Sequence, residues 1–201
     1  MGLPLPLTGW GAEAIAGVDR LRAVLVGPGL GDCDLGSLGG VFGIECPLVV
    51  DGDALRPEFV KAVSRRRTPT VLTPHEGEWL RLGGSHGADK LEQVRAFSAA
   101  TGDVVVRKGP TTLIGAPGNP VRVVATGSPA LATAGTGDVL AGLILGLLAR
   151  GATPVDAALS AAWIHAEAAA LAPSGLIAGD LIARIPIVLE ELTRGESGGP
   201  S

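Results

Sequence analysis

Four short apolar runs constrain this chain more than any other feature: Ala23-Val24-Leu25-Val26-Gly27, Pro47-Leu48-Val49-Val50-Asp51, Thr70-Val71-Leu72-Thr73 and Val104-Val105-Val106-Arg107-Lys108. Each is continuous rather than alternating and is bounded by Gly, Pro or Asp. A strand that is apolar at successive positions must be covered on both faces, which is the condition of a parallel sheet between helical layers. Helical stretches near 57–66, 76–82 and 89–101 lie between the later runs. The expected class is therefore α/β, a three-layer α/β/α fold with a mainly parallel central sheet. After Lys108 the pattern changes. Thr111-Thr112-Leu113-Ile114-Gly115 and Val121-Arg122-Val123-Val124-Ala125-Thr126 flank the turn Ala116-Pro117-Gly118-Asn119-Pro120, which predicts an antiparallel hairpin. Three helices, near 138–150, 154–172 and 180–193, complete the pattern.

The 201 residues are 46% hydrophobic and 18% charged, with a net charge of -4, enough for one soluble domain over residues 1–193 and against a nucleic-acid partner. The tail 194–201, rich in Gly and Ser, is expected to be disordered. The longest apolar run, Val139 to Ala149, would span only about 16 Å as a helix, short of the ~30 Å core of a bilayer, so no membrane span is expected. The N-terminus lacks the basic start and unbroken apolar stretch of a signal peptide, which predicts a cytoplasmic location. Cys33 and Cys46, without a C-x-x-C partner, fit reduced thiols there and support neither a disulfide framework nor a zinc site.

In open parallel sheets ligands bind beyond the carboxyl ends of the strands, and the polar punctuation of this chain falls there. Gly27-Pro28-Gly29-Leu30-Gly31, Asp51-Gly52-Asp53, Thr73-Pro74-His75-Glu76-Gly77-Glu78 and Lys108-Gly109-Pro110-Thr111-Thr112 follow the four strands. A fifth segment, Thr133-Ala134-Gly135-Thr136-Gly137-Asp138-Val139-Leu140-Ala141-Gly142, opens into an apolar helix. Gly135 and Gly137 suit a loop whose amides converge on phosphate at the positive end of that helix. Asp138 has two readings: an N-cap carboxylate, or a base that takes a proton from a substrate hydroxyl during phosphoryl transfer. Other residues divide similarly. Gly29 and Gly31 are a turn or a ligand contact. Asp51 and Asp53, alternating on an extended segment, are expected to point the same way and either bond a loop or hold magnesium through water. His75 is exposed and functional or packed, and Glu78 is a first-turn acid complementing the helix dipole. Lys108 is a phosphate ligand or a solvated strand-end lysine. Arg65-Arg66-Arg67 reads as a solvated helix end, Trp79 and Trp163 as core or interface anchors, and His165 with Glu167 as no metal pair, since two residues apart on a helix do not share a face. No residues are expected to form a dedicated metal site.

Taken together, GPGLG at 27–31, DGDAL at 51–55, TPHEGE at 73–78, KGPTT at 108–112, ATAGTGDVLAG at 132–142, AAWIHAEAAA at 161–170 and GLIAGDLIARIP at 175–186 resemble the ADP/ATP-dependent NAD(P)H-hydrate dehydratases of the ribokinase-like superfamily. The resemblance runs through nearly the whole chain in order. It implies repair of the hydrated cofactors NADHX and NADPHX: ADP or ATP phosphorylates the added hydroxyl, and elimination of phosphate restores NADH or NADPH. It also implies that Lys108, Gly109, Pro110, Thr111, Thr112 and Gly137 surround the adenosine nucleotide. Asp138 would be the catalytic base beside the hydrated nicotinamide, with Gly29, Gly31 and His75 on the substrate side. Mg²⁺ is expected to accompany the phosphates, and a homo-oligomer, a tetramer, is implied. The chain departs from the pattern at Gly52, where the family usually has Ala, and at Met1 to Asp19, which do not match the early strands and the Gly- and Ala-rich helix usual there. That departure predicts an N-terminally truncated fold with an exposed sheet edge and weak activity. Two alternatives stay open: a ribokinase-like small-molecule kinase, and an inactive nucleotide-binding remnant.

Overall fold

The structure is a computed structural model and describes residues 9, 11, 20–32, 35–64, 66–87, 89–125, 128–172 and 175–196. Each apolar run forms a strand: β1 (Val24–Val26), β2 (Leu48–Val50), β3 (Thr70–Leu72) and β4 (Val104–Arg107) pair in parallel in chain order. β5 (Thr112–Gly115) runs antiparallel to β4, and β6 (Arg122–Val124) antiparallel to β5, giving one six-stranded sheet in the order β1-β2-β3-β4-β5-β6.

The period of two along each strand sorts the apolar side chains into two cores. Leu48, Val50, Leu72, Val105 and Leu113 face one layer, against Val41 of α1 (Gly39–Phe42), Phe59, Val60 and Val63 of α2 (Pro57–Val63), Trp79 of α3 (Glu76–Arg81) and Val94 of α4 (Lys90–Thr101). Val49, Val71, Val104, Val106 and Ile114 face the other. They pack on Leu140, Ala141, Ile144 and Leu148 of α5 (Thr136–Ala149) and on Ala157, Ala158, Ala161 and Ala162 of α6 (Pro154–Ala170). The alanine face lets α6 approach the sheet closely, while each buried Val, Leu or Ile contributes roughly 1.5–3 kcal/mol of transfer free energy. α7 (Ala178–Glu196) lies outside this layer, its Leu181 and Val188 packed with Ile164 and Ala168 of α6.

Two expectations change. α7 continues to Glu196, so the first residues of the expected disordered tail carry the last helical turn, and 197–201 lie outside the described residues. Arg66 is not a solvated helix end: its guanidinium turns inward, donating to the carbonyls of Ile44 and Cys46 and to Thr68 Oγ1, because α2 stops at Val63 and the chain folds back there. Arg65 lies outside the described residues, as do Cys33 and most of Met1 to Asp19. Trp79 is a core anchor, whereas Trp163 is exposed on α6. No described helix is long and apolar enough to cross a membrane.

Candidate active site

The same alternation that builds the cores sets what emerges at the carboxyl ends of the strands. Val49 and Asp51, Val71 and Thr73, and Val106 and Lys108 are pairs two residues apart, so Asp51, Thr73 and Lys108 leave the sheet on the side covered by α5. They meet. Lys108 Nζ donates to Asp51 Oδ1 at 2.7 Å, and Thr73 Oγ1 donates to the same oxygen at 2.7 Å. Asp51 is 2% exposed and the Lys108 side chain 16%, so this lysine is a half-sequestered ion-pair partner and not a solvated strand end. Asp53 does not join it. The segment after β2 is a 3-10 turn, Gly52–Ala54, rather than an extended one, and it sends the Asp53 carboxylate to the Gly31 N–H at 2.8 Å. Asp53 thus bonds a loop, and the two acids do not share a direction.

That bond, with Arg56 Nη2 donating to the Gly31 carbonyl at 2.6 Å, holds the loop carrying Gly29 and Gly31, both at positive φ and open to solvent. Its root is tight. A Cβ at Gly27 would overlap the Asp51 carbonyl oxygen, so the first and second strand ends close on each other only because residue 27 has no side chain.

His75 is the N-cap of α3. Its Nδ1 accepts from the Glu78 N–H at 3.1 Å, and Glu78 Oε2 accepts from the His75 N–H at 2.7 Å, a reciprocal capping box. The imidazole stays exposed at the mouth of the strand ends. Glu78 is more than a dipole partner: it is buried, and Oε2 lies 3.9 Å from Lys108 Nζ. Burial pushes its carboxyl above the usual range, and the neighbouring Asp51 adds to this against the opposing pull of His75 and Lys108. The loop that follows β4 is tied to the same turn by the Lys108 N–H, which donates to the Pro74 carbonyl at 2.8 Å. Gly109, Pro110 and Thr111 are exposed beyond it, and the Thr111 and Thr112 hydroxyls make no hydrogen bond among the described residues.

α5 starts two residues earlier than its apolar periodicity suggested. Gly135 is its N-cap at φ 84°, and Asp138 is the third helical residue, so Asp138 does not cap the helix. Its carboxylate is exposed and forms no hydrogen bond or ion pair among the described residues. Gly137 is helical and needs no positive φ; its missing side chain matters instead, because a Cβ there would sit 3.2 Å from Lys108 Nζ. Among the described residues no carbonyl accepts from the Gly137 or Asp138 N–H. Two free helix-start amides, an adjacent ammonium and an uncommitted carboxylate thus occupy one corner, able to hold a phosphoryl group and to take a proton beside it.

Sequence reasoning undervalued four residues here. Asp51 and Thr73 were detectable from strand parity with Lys108. Glu78 was not, since its burial depends on how α3 lies against β4. Arg107, adjacent to Lys108 but on the opposite face, is buried against the Trp79 ring at 4.7 Å and donates from Nη2 to both Glu76 oxygens at 3.0 and 3.1 Å. This fixes the start of α3, and the Arg107 bonds hold the Glu76 carboxyl below its usual range.

A family profile described as NAD(P)H-hydrate dehydratase matches residues 4–185. The chain is 37% identical over 188 residues to the bifunctional NAD(P)H-hydrate repair enzyme Nnr of Salinibacter ruber, covering 86% of this chain and 34% of that protein. It is also 37% identical over 188 residues to the ADP-dependent (S)-NAD(P)H-hydrate dehydratase of Neisseria meningitidis serogroup B, covering 85% and 64%. The chain therefore spans about a third to two thirds of the length of these relatives. Among solved structures it is similar to the ADP/ATP-dependent NAD(P)H-hydrate dehydratase from Bacillus subtilis co-crystallized with ATP/Mg²⁺, at a TM-score of 0.75 and 28% identity over 90% of this chain and 69% of that one. A ribokinase-like superfamily protein from Enterococcus faecalis matches at a TM-score of 0.70 and 25% identity, covering 87% of this chain and 64% of that one, so the α/β/α architecture is ribokinase-like.

Proposed function

We propose, because the chain belongs to the NAD(P)H-hydrate dehydratase family, that it dehydrates NADHX or NADPHX with ADP or ATP as phosphoryl donor and acts in nicotinamide-nucleotide repair in the cytoplasm. The observation that carries this reading is the corner formed by Lys108, the free Gly137 and Asp138 amides and the unpaired Asp138 carboxylate. Asp138 takes the proton from the hydroxyl of the hydrated nicotinamide as its oxygen attacks the terminal phosphorus of the nucleotide. The Gly137 N–H and the Lys108 ammonium take up the charge that gathers on the transferred phosphoryl oxygens. Loss of phosphate from the ester, with a ring proton, then regenerates the reduced nicotinamide. Gly109, Pro110, Thr111 and Thr112 flank the adenosine nucleotide, with the two threonine hydroxyls free to bond it. His75, Gly29 and Gly31 flank the hydrate.

Mg²⁺ fits this corner as an ion brought by the phosphates. The described residues offer no group of three or more metal-ligating side chains, and Asp51 is committed to Lys108 and Thr73, which leaves Asp138 as the free carboxylate. When bound, the ion neutralises phosphate charge. A homo-oligomer is consistent with the apolar side chains of Trp163, Ile177, Ile182 and Leu189 left exposed on and beside α6 and α7.

The test is incubation of the chain with NADHX and ADP or ATP. Reduced-nicotinamide absorbance should return with release of inorganic phosphate, and Asp138→Asn should slow it by about a hundredfold or more. A stable phosphorylated product would indicate a kinase, and nucleotide binding without turnover a remnant; either overturns the proposal.

A further inference from the structure

His165 lies in the middle of α6 and takes no part in the chemistry above, yet it is 7% exposed and its Nε2 is 2.8 Å from the Thr136 carbonyl oxygen. A carbonyl can only accept, so Nε2 carries the hydrogen. Burial holds the imidazole below its usual range, and the nearby Lys108 charge acts in the same direction against the bond to Thr136, so the ring is neutral at pH 7. Thr136 is itself pinned: its hydroxyl faces the Leu131 and Thr133 carbonyls at 2.7 and 2.8 Å, and its N–H donates to the Thr133 carbonyl.

The Thr136 carbonyl and the Gly137 N–H are the two ends of one planar peptide unit. A donor at the oxygen end therefore fixes the plane that aims the N–H, and by drawing electron density toward oxygen makes that N–H a stronger donor. The bond arrives from the α6 side, the Gly137 N–H has no carbonyl acceptor among the described residues, and a Cβ on Gly137 would lie 3.2 Å from Lys108 Nζ. We propose that His165 is a positioning residue of the phosphate cradle, orienting and polarising the 136–137 peptide so that the Gly137 N–H meets a nucleotide phosphate. This rests on the nucleotide-binding reading of the loop and deepens it: the specificity is for an anionic phosphoryl oxygen at the Gly137 amide.

The chain has three histidines, and His75 and His86 are exposed, so the buried ring is resolvable by ¹⁵N NMR and assignable with a His165 variant. At pH 7.5 the wild-type ring should show a proton on Nε2 and none on Nδ1, and its signals should move when Mg·ADP is added. By calorimetry, His165→Leu should weaken Mg·ADP binding by about tenfold, the scale of one polarised hydrogen bond, and His165→Gln, whose side-chain amide can reach the same carbonyl, should stay within about threefold of wild type. Should His165→Leu not fold, the wild-type tautomer and its response to Mg·ADP decide. An Nδ1 tautomer, a ring indifferent to nucleotide, or a folded His165→Leu that binds as wild type overturns the role of His165. A wild-type chain that binds no Mg·ADP overturns the proposed function and the cradle together.

Discussion

Lys108 and Asp51 stand 57 residues apart in the chain and 2.7 Å apart in the fold, and their pairing decides what the corner costs and what it can do. Bringing an ammonium into a largely buried position requires a compensating carboxylate, and an uncompensated charge there destabilises strongly. Asp51→Ala should therefore lower the stability measured by urea unfolding by about 3 kcal/mol, with Glu78, 3.9 Å from the ammonium, giving only partial relief. The double variant Asp51→Ala/Lys108→Met should be more stable than Asp51→Ala, because the second change removes the stranded charge. Additive losses from the two substitutions would show that the pair is not coupled. The same pair has a functional side. With Asp51 holding one side of the ammonium and Gly137 leaving space on the other, Lys108 is preset toward the helix start rather than free to roam as a surface lysine would.

At the scale of elements, α3 does two things with one residue. His75 caps the helix through Nδ1, its Nε2 lies 3.3 Å from Glu78 Oε1, and the exposed part of the ring faces the strand ends. Asparagine caps helices well, so His75→Asn should unfold at nearly the wild-type temperature, whereas His75→Ala should lose about 1 kcal/mol. If the imidazole contacts the hydrate, both substitutions raise the KM for NADHX alike. A KM that rises only in His75→Ala would assign the residue to capping alone. The elements themselves were largely legible in the sequence. β2, β3 and β4 are continuous apolar runs, and their location and parallel pairing follow from the need to cover both faces. The hairpin of β5 and β6 follows from the Pro-Gly-Asn-Pro turn. What eluded sequence reading were events set by packing between distant elements. The start of α5 at Thr136 depends on Gly135 taking φ 84°, and the inward turn of Arg66 depends on carbonyls near residues 44 and 46 that nothing local announces. Likewise the burial of Glu78, which local logic assigns to an exposed first turn, comes from α3 lying across the end of β4.

Across the whole molecule the two ends of the sheet divide the work, and Asp103 shows that the end away from the site carries its own electrostatic load. It sits at the entry to β4, 6% exposed, and burial raises its carboxyl from 3.8 to about 6 against the opposing hydrogen bond from Ser64. The local geometry favours the protonated form. Ser64 Oγ lies 2.7 Å from the Val60 carbonyl and 2.7 Å from Asp103 Oδ2, and one hydroxyl proton cannot serve both. A protonated Asp103 can donate to Ser64 while Ser64 donates to Val60. Below pH 3.8 the carboxyl is protonated folded and unfolded alike, so it imposes no penalty. Between that pH and about 6 the folded state keeps a proton that the unfolded chain has released, so stability falls as pH rises, and above about 6 the loss is complete. A shift of this size corresponds to an upper limit of about 3 kcal/mol, which solvent screening reduces. Asp103→Asn should flatten this part of the curve. Urea unfolding at pH 5 and pH 7.5 should show wild type losing stability relative to the variant by about 1 kcal/mol across that interval, since pH 5 lies only one unit below the folded titration at about 6. Other carboxylates, Glu78 with its own raised titration among them, contribute equally to both proteins and cancel in the difference. Because Asp103 is at the opposite end of β4 from Lys108, turnover per folded molecule should be unchanged. A pH-independent difference between the two proteins would mean that Asp103 is ionised throughout, with Ser64 donating to it and leaving the Val60 carbonyl to its helical partner.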